Sequence, residues 1–384
     1  MKNLIVGVIL LILFSCSSNP KNTNERSLEV LLIEKPQINY KLNSLPKDIN
    51  VIYFSNPRFK KPFPDEVKGL LTNYYSFSEK NKYLPRINFI NLNEVNSCSL
   101  TLNQGTYNFI FLLKDSINNI SYDLCLNRFI NRDTLIVSDF DDNSTPKNIR
   151  KFLVSRNEDK YKLIRFMNSY SNNIMVIDNE VTKDKYEIGE FWKKEFKKEI
   201  AEYKTFNTVE SSQDIFSNLL LLEQSSKRKR KLSRIISKDL NHKSRTRQDI
   251  DTLFLSVNTQ EARSLKPALD YNNFEGMKVF LANDWEGDIQ FLKTDRDLQE
   301  VISIDIPFML STPLPNELKG LQNKSRNFAI GFDAFEIALM IKGTRNLKNI
   351  TYKGLTGKIT FKDEAIVRKS TIFKLRDEIY EYLN

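Results

Sequence analysis

The chain has 384 residues, 58 Lys and Arg against 48 Asp and Glu, and a formal charge of +10. Its length suits two ordinary domains or one two-lobed domain, and 40% hydrophobic residues with 26 Phe can fill sizeable cores. One histidine and 11 glycines leave little for zinc sites, histidine-based nucleophilic catalysis or phosphate-cradling loops.

In chain order, Lys2 precedes an unbroken apolar run, residues 4–14 (LIVGVILLILF), and then Ser15-Cys16. A basic start with a short apolar core is a secretory signal. The run is shorter than the roughly 20 residues that a membrane-spanning helix needs. Leu13-Phe14-Ser15-Cys16 fits the lipobox of bacterial lipoproteins, where the cysteine is acylated and becomes the first mature residue. Cys16 is therefore the expected lipid attachment site. A plain signal peptide with a chance cysteine is the other reading. Ser17, where Asp would favour inner-membrane retention, points to the periplasmic side of the outer membrane. Cys98 and Cys125 remain, an even number in an oxidising compartment. They allow a disulfide, or serve as two buried thiols.

Residues 19–26 (NPKNTNER) read as a flexible tether. Buried strands are expected at residues 50–54, 87–90, 108–113 and 134–137, and a helix behind an acidic first turn at 65–77. The turn-rich tract 139–146 (DFDDNSTP) marks a lobe boundary. A second set of elements follows. Helices are expected at 160–167, 183–198, 214–239 and 259–269, and strands at 173–177, 200–206, 252–257, 278–281 and 301–304. Residues 183–198 turn Tyr186, Phe191, Trp192 and Phe196 inward. Residues 329–341 read as an apolar helix, 357–361 with 366–373 as a hairpin, and the C-terminus as a polar helical tail.

Strand–helix alternation of this kind predicts an α/β chain with two lobes, each a mostly parallel sheet flanked by helices. The expected organisation is a signal peptide over 1–15 and a lipidated start with tether over 16–48. The first lobe covers 49–150 with a return segment at 311–345, and the second covers 151–310 with a C-terminal hairpin at 350–384. Proline at 307 ends a strand, so the chain should recross the hinge there.

Catalytic signals are poor. The single histidine, His242, sits in a basic loop, and no G-x-S-x-G elbow surrounds a serine. Asp139 with Asp141, or Asp284 with Asp288, read as turn-capping carboxylates rather than an acid–base pair. No catalytic residue, metal ligand or cofactor is expected. The basic run 227–231 (KRKRK), continued by Arg234, Lys238 and Lys243, reads as a solvated helix face or as a contact for an anionic partner or membrane. A nucleic-acid partner is not expected in that compartment.

One stretch carries a family resemblance. Arg245-Thr246-Arg247 precedes Asp249-Ile250-Asp251-Thr252-Leu253-Phe254-Leu255, then Gln260-Glu261-Ala262-Arg263 and Lys266-Pro267. Asp305-Ile306-Pro307-Phe308, Gly331-Phe332-Asp333-Ala334-Phe335 and Gly354-Leu355-Thr356-Gly357 follow in order. This set resembles the LppC family of lipoproteins, which includes penicillin-binding protein activators. The resemblance implies the two-lobed fold of type I periplasmic binding proteins. It also implies a non-enzymatic role supporting peptidoglycan synthesis, with a class A penicillin-binding protein as partner. The other function open at this point is capture of a small ligand in the interlobe cleft. Two departures from the family pattern stand out. No counterpart of the helical-repeat domain of characterised activators is expected before the α/β pattern. Ser55-Asn56-Pro57 also has Asn where the family's first loop has glycine.

Overall fold

The structure is a computed structural model. It describes residues 45–54, 63–92, 106–113, 129–139, 149–179, 185–207, 210–241, 246–272, 276–282, 295–311, 314, 318, 320–321, 324–344, 347, 350–362, 365–376 and 379–383.

Two sheets organise it. The first contains β1 (Asp48–Tyr53), β2 (Arg86–Asn91), β3 (Tyr107–Leu112), β4 (Thr134–Ser138) and β5 (Arg150–Leu153), in spatial order β2-β1-β3-β4-β5 and all parallel. The second repeats this order with β6 (Ile174–Asn179), β7 (Glu202–Phe206), β8 (Thr252–Ser256), β9 (Lys278–Leu281) and β10 (Ile302–Asp305), as β7-β6-β8-β9-β10. The helices are α1 (Asp65–Asn81), α2 (Arg156–Asn168), α3 (Lys185–Phe196), α4 (Ser212–Leu219), α5 (Leu222–Ile236), α6 (Thr259–Tyr271), a short α7 (Pro307–Leu310) and α8 (Arg326–Gly343).

The central strands β3, β4, β6 and β8 are buried along their whole length because both faces of each sheet are covered. In β3, Tyr107, Phe109 and Phe111 join the core under α1 and α8, while Ile110 and Leu112 face the opposite core. In β8, Leu253 and Leu255 point to one side and Phe254 to the other. The period-two alternation of a strand is therefore present in space, although its sequence shows only an apolar run. In α3, Trp192 is fully buried and Phe191 and Phe196 are partly so. The Tyr186 side chain lies outside the described residues.

Helix α8 packs along α1 at backbone contact. A Cβ added at Gly331 would lie 1.7 Å from the Glu66 carbonyl oxygen, and one at Gly69 would lie 1.9 Å from that of Phe328. Asn73 Nδ2 donates to Phe332 O at 2.9 Å across the same contact. The segment after Pro307 thus returns to the first sheet, with Pro307 opening α7 at a position where its missing N–H costs nothing.

Four assignments differ from the sequence expectation. The C-terminal region, read as belonging wholly to the second lobe, is divided. β11 (Thr351–Gly354), β12 (Gly357–Lys362) and β13 (Ala365–Lys369) extend the first sheet, with β13 parallel to β5. Only β14 (Thr371–Arg376) and β15 (Ile379–Leu383) join the second, antiparallel to β10 and to each other. Tyr352, Ile359, Phe361 and Ile366 enter the first core, and that burial draws the strands there. The tail is strand β15 rather than helix, because pairing with β14 places Tyr380 against Phe373. β5, placed in the second lobe by a boundary at 150/151, pairs with β4 and belongs to the first. The region 214–239 also breaks in two: Leu221 takes φ 58° between α4 and α5.

The chain therefore passes between the sheets near residues 154–155, 306 and 370. Arg368 ties two of these passages together. It donates to Val154 O at 3.1 Å and to Asp159 Oδ2 at 2.6 Å, and its other nitrogen reaches the Ser370 hydroxyl.

Candidate functional site

In a doubly wound sheet, ligands bind at the carboxyl ends of the strands where the winding reverses. In the second sheet that point lies between β6, which leads to the edge strand β7, and β8, which leads to β9 on the other side. The N-terminus of α6 opens onto it. Asn258 and Glu261 form a reciprocal cap there: Glu261 N donates to Asn258 Oδ1 and Asn258 N to Glu261 Oε2, both at 2.8 Å. The Asn179 amide, at the end of β6, donates to the same carboxylate oxygen at 2.8 Å. The amide and helix end that would receive an anionic ligand are thus occupied by the chain's own Glu261.

Beside this point lies a cleft of about 840 Å³. Phe206 and Tyr271 supply aromatic surface to it, and Gln213, Gln260 and Ser264 supply neutral polar groups. Its charged lining residues, Glu210 and Glu261, are both acidic. It suits an uncharged polar molecule better than an anion. All of its lining comes from the second lobe. Ser55, Asn56 and Pro57 lie outside the described residues.

The signature residues mostly hold the two lobes in shape. Arg247 forks onto Asp249 at 2.8 and 2.6 Å and reaches Glu202 at 2.9 Å. Asp251 accepts from the backbone of Asn172 and Asn173, and Lys266 pairs with Asp270. Asp305, ending β10, accepts from Arg326 Nε at 2.9 Å and so fastens the second lobe to the start of α8. Asp333 joins α8 to the β11–β12 turn. It accepts from Leu355 N at 2.9 Å, Thr356 N at 2.7 Å and Thr356 Oγ1 at 2.6 Å. Gly354 leaves room for this carboxylate, since a Cβ there would meet both oxygens at 2.6 Å.

Burial pushes the Asp333 carboxyl up to about 6, against the lowering influence of those hydrogen bonds. The folded state then takes up this proton before the unfolded state does. Its contribution to stability grows as pH falls from above 6 towards 4, and is lost as pH rises through 6. Denaturant titrations of wild type and Asp333→Asn should diverge across that window and run parallel above it. Curves that stay parallel throughout would show an ordinary carboxylate.

Cys16, Cys98, Cys125, His242, Asp141, Asp284 and Asp288 all lie outside the described residues, so neither carboxylate pair is brought together within them. Among the described residues, no group of three or more His, Cys, Asp or Glu could hold a metal ion. Among them also, no helix is long and apolar enough to cross a membrane.

The basic run falls on α5, with Lys227, Arg228, Arg230 and Lys231 exposed. Its ion pairs, Lys227 with Glu223 at 2.9 Å and Lys229 with Asp239 at 3.6 Å, sit at the surface. Replacing residues 227–231 by Gln should change the melting temperature by less than about 3 °C, because solvent-exposed pairs are weak. A fall of about 10 °C by calorimetry would show a structural role. Sequence reading missed a feature of the same helix. Leu232, Ile235 and Ile236 are exposed, and only the packing of α5 on the lobe reveals it.

Two mostly parallel sheets of the same winding, joined by three passages, define a periplasmic-binding-protein-like fold. A putative branched-chain amino acid ABC transporter protein from Rhodospirillum rubrum shares the fold, with TM-score 0.55 and 9% identity over 88% of this chain and 100% of that one. Residues 186–376 match the family described as LppC putative lipoprotein, and the chain resembles the LpoA-like proteins of that family. It is similar to curated penicillin-binding protein activators LpoA from Vibrio vulnificus (23% identity over 166 residues) and Photobacterium profundum (25% over 181). Those matches take in 40% and 44% of this chain, but only 26% and 29% of the relatives' length. The solved LpoA C-domain from Haemophilus influenzae, described as a regulator of PBP1A, has the same fold. Its TM-score is 0.57 at 12% identity, over 88% of this chain and 100% of that domain.

Proposed function

We propose that this chain is a non-enzymatic lipoprotein that supports or regulates peptidoglycan synthesis by contacting a class A penicillin-binding protein. In this reading residues 1–15 are a signal peptide, acylated Cys16 anchors the protein on the periplasmic side of the outer membrane, and residues 16–48 carry the tether. The observation that carries it is the LppC match, whose similar curated members are named as activators. The second-lobe crevice supports it, because Glu261 already occupies the polar end that a charged ligand would use. The test is reconstitution. The acylated protein should co-purify with a class A synthase from the same envelope and raise its polymerisation or cross-linking rate severalfold. No co-purification together with an unchanged rate would overturn the reading. The second reading, a small ligand between the lobes, draws on the second-lobe cleft, where Gln213, Gln260 and Ser264 offer neutral polar groups beside Tyr271. A molecule retained by natively purified protein and identified by mass spectrometry would support it.

A further inference from the structure

Helix α5 is built unlike the others. Among its described side chains only Ser225 is buried, and residues 230–239 are exposed except for the half-buried Ser233. Over residues 222–239 there are seven Lys and Arg against Glu223 and Asp239, which is half of the chain's formal excess of charge. On this overhang Leu232 is 49%, Ile235 69% and Ile236 51% exposed. Nine large hydrophobic side chains are exposed among the described residues, and three of them fall within these five positions. At 100° per residue the three occupy an arc of roughly 100°. Lys227, Arg230, Lys231 and Arg234 fill the neighbouring arc of the same helix.

We propose that α5 is a membrane-docking helix that lays Leu232, Ile235 and Ile236 into the surface of an anionic phospholipid bilayer. Charge complementarity selects the lipid. The cations meet phosphate and glycerol head groups, and their long stems let the charges stay wet while the aliphatic stripe sinks to the acyl boundary. A nucleic acid would match the cations but offers nothing to three aliphatic side chains on a convex surface. An acidic protein face would need an apolar groove to receive them. In the anchored protein, which rests on the reading above, about 30 residues separate Cys16 from Leu45. Even fully extended they span no more than roughly 110 Å. The helix would therefore always be near a bilayer, and a weak second contact would be effective by local concentration.

The test uses the polypeptide from residue 17 onward, so that acylation plays no part and failure of the anchor or of synthase activation does not bear on the result. It is sedimented with vesicles of phosphatidylcholine, or of phosphatidylcholine with one-third phosphatidylglycerol, at low and at half-molar salt. Wild type should bind the anionic vesicles about tenfold more tightly than the neutral ones, and lose most of that preference in high salt. The triple change Leu232→Ser, Ile235→Ser, Ile236→Ser should weaken anionic binding about tenfold with melting unchanged, since all three side chains are exposed. Changing Lys227, Arg228, Arg230, Lys231 and Arg234 to Gln should abolish the preference for anionic lipid. Equal binding to both vesicles, no binding to either, or a triple variant indistinguishable from wild type would each overturn the proposal. So would a single-stranded oligonucleotide or an acidic polypeptide binding α5 more tightly than the anionic vesicles do.

Discussion

Gly331→Ala should destabilise the first lobe by about 3 kcal/mol or more, and soluble yield should fall with it. The added methyl would sit 1.7 Å from the Glu66 carbonyl oxygen and 2.6 Å from its carbon. Both are main-chain atoms of α1, so no rotamer can relieve the overlap. The helices must part by more than an ångström, which also stretches the Asn73–Phe332 hydrogen bond. Gly69→Ala meets the Phe328 carbonyl at 1.9 Å and should behave alike. Gly189 provides the control. It lies inside α3, and a Cβ there would find only Ile200 Cδ1 at 3.5 Å. Gly189→Ala should stabilise by up to about 1 kcal/mol, because alanine loses less backbone entropy in a helix. Chemical denaturation followed by circular dichroism measures all three. A Gly331→Ala protein as stable as wild type would refute the close crossing of α1 and α8.

The second large effect concerns Cys16. Cys16→Ala should incorporate no palmitate and leave the outer-membrane fraction. Each buried methylene contributes roughly 0.8 kcal/mol, so losing two or more acyl chains lowers membrane partitioning by several orders of magnitude. Fractionation after a high-salt wash removes any contribution from α5. Labelling equal to wild type would sink the lipoprotein assignment. Wild-type protein found with the inner membrane would sink only the sorting inference drawn from Ser17.

Much of the fold was legible because local patterns carry it. Apolar runs such as residues 108–113 and 252–257 can be buried only as central strands, and the Asn258/Glu261 spacing marks a helix start. Other features were not legible for equally physical reasons. Leu220-Leu221 looks like continuous helix, and only the positive φ of Leu221 divides α4 from α5. The alternation of Ile379, Tyr380 and Tyr382 is too short to outweigh a polar tail until β14 is there to pair with it. For the site, the reciprocal cap could be read from spacing. Asn179 as its third member could not, because 82 residues separate it from Glu261.

The sequence by itself determined the α/β class, most element positions, the resemblance to LppC lipoproteins, the candidate acylation site and the basic run. Each depends on residues adjacent in the chain or at fixed short spacing. Tertiary structure alone decided that residues 351–369 extend the first sheet while 371–383 extend the second. It also decided that the Gly-x-Asp-Ala-Phe and Gly-Leu-Thr-Gly segments lock together through Asp333, and that α5 overhangs its lobe with three aliphatic side chains uncovered. Strand partners and uncovered faces depend on which distant segments compete for the same apolar surface. That competition is resolved only when the whole chain is packed.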